Sequence, residues 1–184
     1  MLFLFFLFFG DKDNLGKVKD AKKVSSIMVT RTNKLKQLNL NPLSVAKYFY
    51  KRGIEISPVN QRLIYFTYLE ALKDGYLLFE EEWQAWPNGP VIKSVIDKVF
   101  DNLSNLPKLF KSVKELDNEL VINYVEKIWK KYKNSEPYII FEKAQNKPWK
   151  EARKPLKSER EIADIPLESL IKFTNGNGKR ARAI

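Results

Sequence analysis

Residues 85–97 have the sequence AWPNGPVIKSVID, which interrupts a lysine-rich chain of predicted amphipathic helices. Two prolines fix the backbone φ angle around an Asn-Gly pair, and Gly89 permits a conformation that a Cβ atom would resist. We therefore predict a structural corner in which Trp86 closes a β-hairpin against the core and Pro90 occupies the first turn of the next helix. That helix is predicted from apolar residues that recur every four positions, namely Val91, Val95, Val99 and Leu103.

Two helices are predicted before this corner. Asn41 and Pro42 give an N-cap and a first-turn proline, and the helix that they begin runs to Gly53. A second, longer helix begins at the Ser-Pro pair of residues 57–58 and ends at Gly75. Its buried stripe is predicted to contain Val59, Leu63, Phe66 and Leu69.

A small β-hairpin is predicted between the second helix and the corner. Short apolar runs at residues 76–79 and 83–86 flank a glutamate triplet at residues 80–82. Adjacent carboxylates in a turn point in different directions, whereas a hard-metal site needs convergent oxygens, so we interpret the triplet as a solvated turn. Glu70 and Asp74 lie one helical turn apart and could hold a metal or a proton, but in a helix that ends at Gly75 we interpret them as surface charges.

Further helices are predicted after the corner. Residues 118–132, NELVINYVEKIWKKY, give the clearest amphipathic pattern, and shorter helices follow within residues 136–154 and 165–173. The predicted face of the longest helix contains Val121, Val125, Ile128, Trp129 and Tyr132. The predicted fold class is α+β, mainly α with a small β-hairpin. We predict one compact helical domain over residues 41–175, followed by a basic flexible tail over residues 176–184.

The composition limits the chemistry that is available to the chain. Its 184 residues are 44% hydrophobic and 13% aromatic, which is enough for one packed core. Cysteine and histidine are absent, which excludes disulfides and thiolate sites and removes the commonest general base and zinc ligand. An enzymatic function is therefore disfavoured, and we predict no cofactor and no metal. The net charge of +11 is spread over many helical faces. Nucleic acid is therefore a possible partner, but the charge does not point to it specifically.

Residues 1–27 are predicted to be an N-terminal extension, followed by a linker over residues 28–40. The apolar start, MLFLFFLFFG, would rise only about 14 Å as a helix, so no stable membrane span is predicted. Three origins of this start remain open: an over-extended gene start with Met28 as the true beginning, a signal or membrane anchor, and an ordered core element. A cytoplasmic location is expected, or export or membrane tethering if residues 1–10 belong to the native protein.

Three segments carry a family resemblance through their order and spacing. Residues 62–66 form a basic, leucine-rich segment with a Tyr-Phe pair, residues 85–91 give Ala-Trp, a short gap and Gly-Pro-Val, and residues 147–149 are Lys-Pro-Trp. Over about residues 43–174 the chain resembles the Panacea domain, the family of SocA-like antitoxins and GepA-type phage-associated proteins. A histidine is common in that family shortly before the late tryptophan, where this chain has residues 144–146, Ala-Gln-Asn. The motif residues are Tyr65, Phe66, Trp86, Gly89, Pro90, Val91, Pro148 and Trp149.

The resemblance implies a non-enzymatic antitoxin that binds and neutralises a cognate protein toxin encoded by an adjacent gene. It also implies a role as an adaptor that delivers the toxin to a ClpXP-type protease. Trp83, Phe79 and Arg62 are candidate partner-binding residues, because a few tryptophans and other large side chains dominate protein interfaces. Core packing is the alternative interpretation for Trp83 and Trp149, and the main one for Trp86.

Two other classes of function remain alternatives. Two helices followed by a hairpin, together with the positive charge, are compatible with a DNA-binding transcriptional regulator of winged-helix type. An exported or membrane-tethered effector is the other alternative, and it rests entirely on the apolar residues 2–9.

Overall fold

The computed structural model describes residues 35–54 and 58–181, with side chains described up to residue 176. The predictions for residues 1–34 and 182–184, including those for the apolar start and Met28, lie outside the described residues. In chain order the elements are β1 (Lys36–Gln37), α1 (Pro42–Lys51), α2 (Pro58–Lys73), β2 (Tyr76–Leu77), β3 (Trp83–Trp86), β4 (Gly89–Ile92), α3 (Lys93–Phe100), α4 (Leu106–Ser112), α5 (Glu119–Tyr132), α6 (Pro137–Ala144), α7 (Lys147–Arg153), β5 (Ala163–Ile165) and α8 (Leu167–Ala181), with a short 3₁₀ turn at Leu103–Asn105 between α3 and α4. The predicted class, mainly helical with a small antiparallel sheet, is confirmed.

Helix α2 runs through the centre of the domain. Eleven of its sixteen residues are buried, and α1, α5, α6, α8 and the strand β4 pack around it. A helix that is surrounded in this way needs apolar side chains on more than one face. Leu63 and Phe66 of the predicted stripe are buried, whereas Val59 and Leu69 lie at the edge of the core and are half-buried.

The three-stranded sheet has the order β4-β3-β5 and is antiparallel throughout. Strand β3 forms its hairpin with β4 through a two-residue turn at residues 87–88, so the predicted pairing of β3 with residues 76–79 is wrong. The predicted helical position of Pro90 is also wrong, because Pro90 lies in β4 opposite Ala85 and the helix begins at Lys93. A strand at the edge of a sheet tolerates a proline, since its outward N–H needs no partner in the sheet.

Strand β2 pairs with a segment before α1 instead. Lys36 and Tyr76 are partners in a parallel pair, and the backbone amide of Leu38 donates a 2.9 Å hydrogen bond to the carbonyl of Leu77. Leucines of this segment also pack against the core. Residues 35–40, within the predicted linker, are therefore part of the folded domain.

The helices after the corner follow the sequence pattern only in part. In α3, Val95 and Val99 are buried as predicted, whereas Leu103 lies beyond the helix and is 44% exposed. The predicted face of α5 is buried except for Trp129, which is half-buried. Helix α8 continues to Ala181, so residues 176–181 are helical where a flexible tail is predicted.

Candidate partner-binding site

The corner between β3 and β4 is built around Gly89. This residue pairs with Trp86 across the hairpin and has a φ angle of +127°, which residues with a Cβ atom rarely adopt. A Cβ atom added here would lie 2.8 Å from Nε of Arg62, on α2. The need for glycine at the corner is therefore confirmed by the backbone angle, and the close approach of the arginine adds a second reason.

Arg62 is a buried charge beneath this corner. Its side chain is 1% exposed, Nη2 donates a hydrogen bond to the carbonyl of Asn88, and the guanidinium carbon lies 5.5 Å from the ring centroid of Phe141. Burial lowers the pKa of Arg62 to about 9, so the side chain keeps its charge at neutral pH. Nε finds no hydrogen-bond partner in the described part of the chain. Arg62, predicted as a partner-binding residue, is enclosed in this fold by α2, the corner and α6.

Tyr65, one turn further along α2, connects this helix to the segment before α7. Its hydroxyl donates a 3.0 Å hydrogen bond to Oδ1 of Asn146, and its ring centroid lies 4.9 Å from that of Trp83. Burial raises the pKa of Tyr65, so the hydroxyl remains a donor throughout the physiological range. Asn146 lies in the segment where the resemblance leads us to expect a histidine, and sequence reasoning missed its role as the acceptor.

Replacing Tyr65 by phenylalanine is expected to lower the free energy of unfolding by about 1–2 kcal/mol, because Asn146 loses its donor in a half-buried position. Urea denaturation measures the change. The matched control is Tyr138→Phe, which removes a hydroxyl from a side chain that is 66% exposed and should change stability by less than about 0.5 kcal/mol. Equal losses in the two variants would contradict a structural role for the Tyr65 hydroxyl.

Two side chains of α7 bind the backbone of β3. Nε1 of Trp149 donates a 2.9 Å hydrogen bond to the carbonyl of Trp86, and Nη1 of Arg153 donates one of 2.8 Å to the carbonyl of Ala85. Arg153 also donates to two carbonyls within residues 159–161 and lies over the Trp149 ring, 5.5 Å from its centroid. These contacts fix α7, the hairpin and the loop before β5 relative to one another.

Trp86 and Trp149 lie at the corner, joined through the backbone carbonyl of Trp86. Both are half-buried, and Nε1 of Trp86 donates a 3.0 Å hydrogen bond to Oε1 of Gln84. Arg153, also half-buried, adds a guanidinium beside them. We call Trp86, Trp149 and Arg153 the tryptophan surface. The sequence pattern indicated the two tryptophans but not the arginine, which lies one helical turn after Trp149.

Trp83 and Phe79, predicted as partner-binding residues, lie in the core of this fold. Each is 1% exposed, and the Trp83 ring lies between those of Tyr65 and Tyr68. Successive residues of a strand point to opposite faces of its sheet, so Trp83 and Trp86, three positions apart, cannot both face the core. Trp86, predicted to pack inward, is the half-buried member of this pair.

The structure brings most of the motif residues together. Pro90 and Val91 are buried in β4 at the corner, and Pro148 is buried in the first turn of α7 beside Trp149. Phe66 belongs to another contact, since its ring stacks on that of Tyr132 with centroids 4.8 Å apart. The motifs of residues 62–66, 85–91 and 147–149 thus meet at one corner of the domain although about sixty residues separate the last two.

The acidic residues considered as metal ligands have other contacts. Glu70 forms an ion pair with Lys127, and Asp74 accepts a 2.9 Å hydrogen bond from the hydroxyl of Tyr124. Across residues 35–54 and 58–181, no three acidic side chains converge on a position where they could hold a metal ion. None of the helices that the structure describes is long and apolar enough to cross a membrane.

The fold and the corner define a mainly helical α+β protein with a half-exposed pair of tryptophans. Comparison of the chain with protein-family models, with curated proteins and with solved structures gave no match. The Panacea resemblance therefore stays a prediction that rests on the motifs.

Proposed function

We propose that the protein is a bacterial cytoplasmic antitoxin that binds a protein toxin encoded beside it and neutralises it by direct contact through the tryptophan surface. The observation that carries this proposal is the hydrogen bond from Nε1 of Trp149 to the backbone carbonyl of Trp86, which brings two half-buried tryptophans to the same corner of the domain. The corner that presents them is also where the motifs of the family resemblance meet.

The physical properties of this surface suit an interface. Tryptophan and arginine are enriched among the residues that contribute most to binding, and all three members of the surface are of these two types. Hydrogen bonds to the backbone already hold Trp149 and Arg153, so little side-chain entropy would be lost when a partner binds. The net charge of +11 favours a toxin with an acidic surface and would speed its association at low salt.

In a winged-helix protein α2 would be the recognition helix, the one that enters the major groove. Its position in this fold does not support that role. A recognition helix must place polar side chains in the major groove. In this fold Asn60, Gln61 and Arg62 are buried, and Oε1 of Gln61 accepts a 3.2 Å hydrogen bond from the amide of Ile92. We therefore do not propose sequence-specific DNA binding through α2.

Co-expression with the neighbouring open reading frame tests the proposal. We expect the neighbour alone to stop growth, co-expression of this protein to restore it, and the two proteins to purify as one complex. A frameshifted copy of this gene at the same transcript level is the control. A harmless neighbour, or restored growth without a complex between the two proteins, would contradict neutralisation by direct binding.

A further inference from the structure

A second site lies between α2, α5 and α8, at the opposite end of α2 from the corner. It is a cavity of about 150 Å³ that opens to solvent. Its lining is mixed, with apolar side chains from Phe66, Leu69, Ile128, Tyr132 and Phe173 and polar ones from Glu70, Lys73, Lys131 and Thr174. The rings of Phe66 and Tyr132 are stacked on each other, with centroids 4.8 Å apart and planes inclined by 19°, and form one aromatic pair in the wall. The volume of the cavity is about that needed for one benzene ring, which could enter from the open side on a side chain.

Ammonium groups surround the aromatic wall. Nζ of Lys131 lies 5.3 Å from the ring centroid of Tyr132, Nζ of Lys143 lies 5.5 Å from the same centroid, and Lys73 lines the cavity from α2. None of these three lysines forms an ion pair within the described residues, whereas Glu70, the acidic residue at the cavity, is already paired with Lys127. Lysines without an ion-pair partner at and beside the cavity favour a ligand that carries carboxylates.

We propose that this cavity binds one phenyl-sized side chain of a partner protein, in a segment where aspartate or glutamate residues flank that side chain. The ring would fill the cavity against Phe66 and Tyr132, and the flanking carboxylates would pair with Lys73, Lys131 and Lys143. This site is separate from the tryptophan surface, and the proposal goes beyond toxin neutralisation because it holds whatever activity the partner has.

The test uses a synthetic peptide, acetyl-Asp-Glu-Phe-Glu-Asp-amide, titrated into the ¹⁵N-labelled full chain. We expect saturable chemical-shift changes at residues that line the cavity, such as Leu69, Ile128 and Thr174, and none at Trp149. Two control peptides separate the contributions of ring and charge: one has alanine in place of the phenylalanine, and the other has lysine in place of each acidic residue. Both control peptides should bind at least about tenfold more weakly than the parent peptide. Added salt should weaken binding of the parent peptide, since it screens exposed charges.

Two protein variants locate the binding. Leu69→Trp fills the cavity from its half-buried edge, and Lys73→Glu combined with Lys131→Glu reverses the charge around it; each should lower the affinity for the parent peptide at least about tenfold. Lys108→Glu combined with Lys111→Glu, at exposed positions of α4, changes the net charge equally and should bind within about twofold of wild type.

Three outcomes would overturn the proposal. The first is the absence of shifts at the cavity with the parent peptide at about 5 mM, a concentration that would detect even millimolar affinity. The second is equal binding by the alanine peptide, which would leave the cavity without a role. The third is a change in the same amides with protein concentration alone, which would assign the cavity to a second copy of this chain.

Discussion

Replacing Gly89 by valine is expected to lower the free energy of unfolding by about 3 kcal/mol or more. Two effects add at this position. The φ angle of +127° is strained for any residue with a Cβ atom, and that atom would lie 2.8 Å from Nε of the buried Arg62. Arg62 cannot move away at little cost, because it is enclosed and bonded to the carbonyl of Asn88. Thermal and urea denaturation of the purified variant measure the loss.

Gly75→Val is the matched control for the contribution of the arginine. Gly75 also has a positive φ angle, +85°, but a Cβ atom there would meet nothing within 4 Å, so only backbone strain of about 1–2 kcal/mol is expected. A double-mutant cycle of Gly89→Ala with Arg62→Met then isolates the contact between residue 89 and the arginine. Gly89→Ala should lower the free energy of unfolding less in the Arg62→Met background than in the wild type. Equal losses for the two valine variants, together with a cycle that shows no coupling, would contradict the clash.

The parts of the fold that follow from local chemistry could be predicted from the sequence. Oδ1 of Asn41 accepts a 2.9 Å hydrogen bond from the amide of Leu43, as expected for an N-cap before a first-turn proline. The need for glycine at position 89 was equally local, since it depends on two prolines and an Asn-Gly pair. The strand that pairs with β3 could not be identified from the local sequence. Residues 76–79 and 89–92 are both close to β3 in sequence, and both are suited to form a strand. The parallel pairing of β2 with residues 36–37 had no short-range pattern that could reveal it.

The candidate site could be predicted as a set of residues but not as a surface. The motifs marked the correct tryptophans, yet which ring faces solvent depends on the orientation of β3, and the sequence alone did not determine it. Arg62 resembled an interface residue because an arginine is seldom fully buried, and only the packing of α6 over the corner encloses it. Asn146 could have been found as the polar residue that precedes the Lys-Pro-Trp segment, although its partner, Tyr65, is 81 positions away.

Replacing Trp86 by alanine is expected to weaken binding to the toxin about 30-fold or more, which corresponds to about 2 kcal/mol, because the variant removes one ring of the tryptophan surface. The backbone carbonyl of residue 86, which accepts the hydrogen bond from Trp149, is retained, so α7 keeps its attachment to the hairpin. The loss of stability should stay near 1 kcal/mol, since the Trp86 ring is half-buried and lies outside the main apolar core. Titration of the purified toxin by calorimetry, together with the growth assay, measures the effect.

Trp129→Ala is the matched control, because Trp129 is also a half-buried tryptophan but lies on α5, which packs against α1 and α2. It should reduce stability at least as much as Trp86→Ala and leave the affinity for the toxin within about twofold of wild type.

A third variant, Trp149→Phe, keeps an aromatic ring but removes the Nε1 donor that holds Trp86. If the surface acts through its fixed geometry, Trp149→Phe should weaken binding by an intermediate amount, since the carbonyl of Trp86 loses its partner while most of the apolar contact remains. Binding that is unchanged in both Trp86→Ala and Trp149→Phe would place the toxin elsewhere on the protein, and the corner would then be a structural element alone.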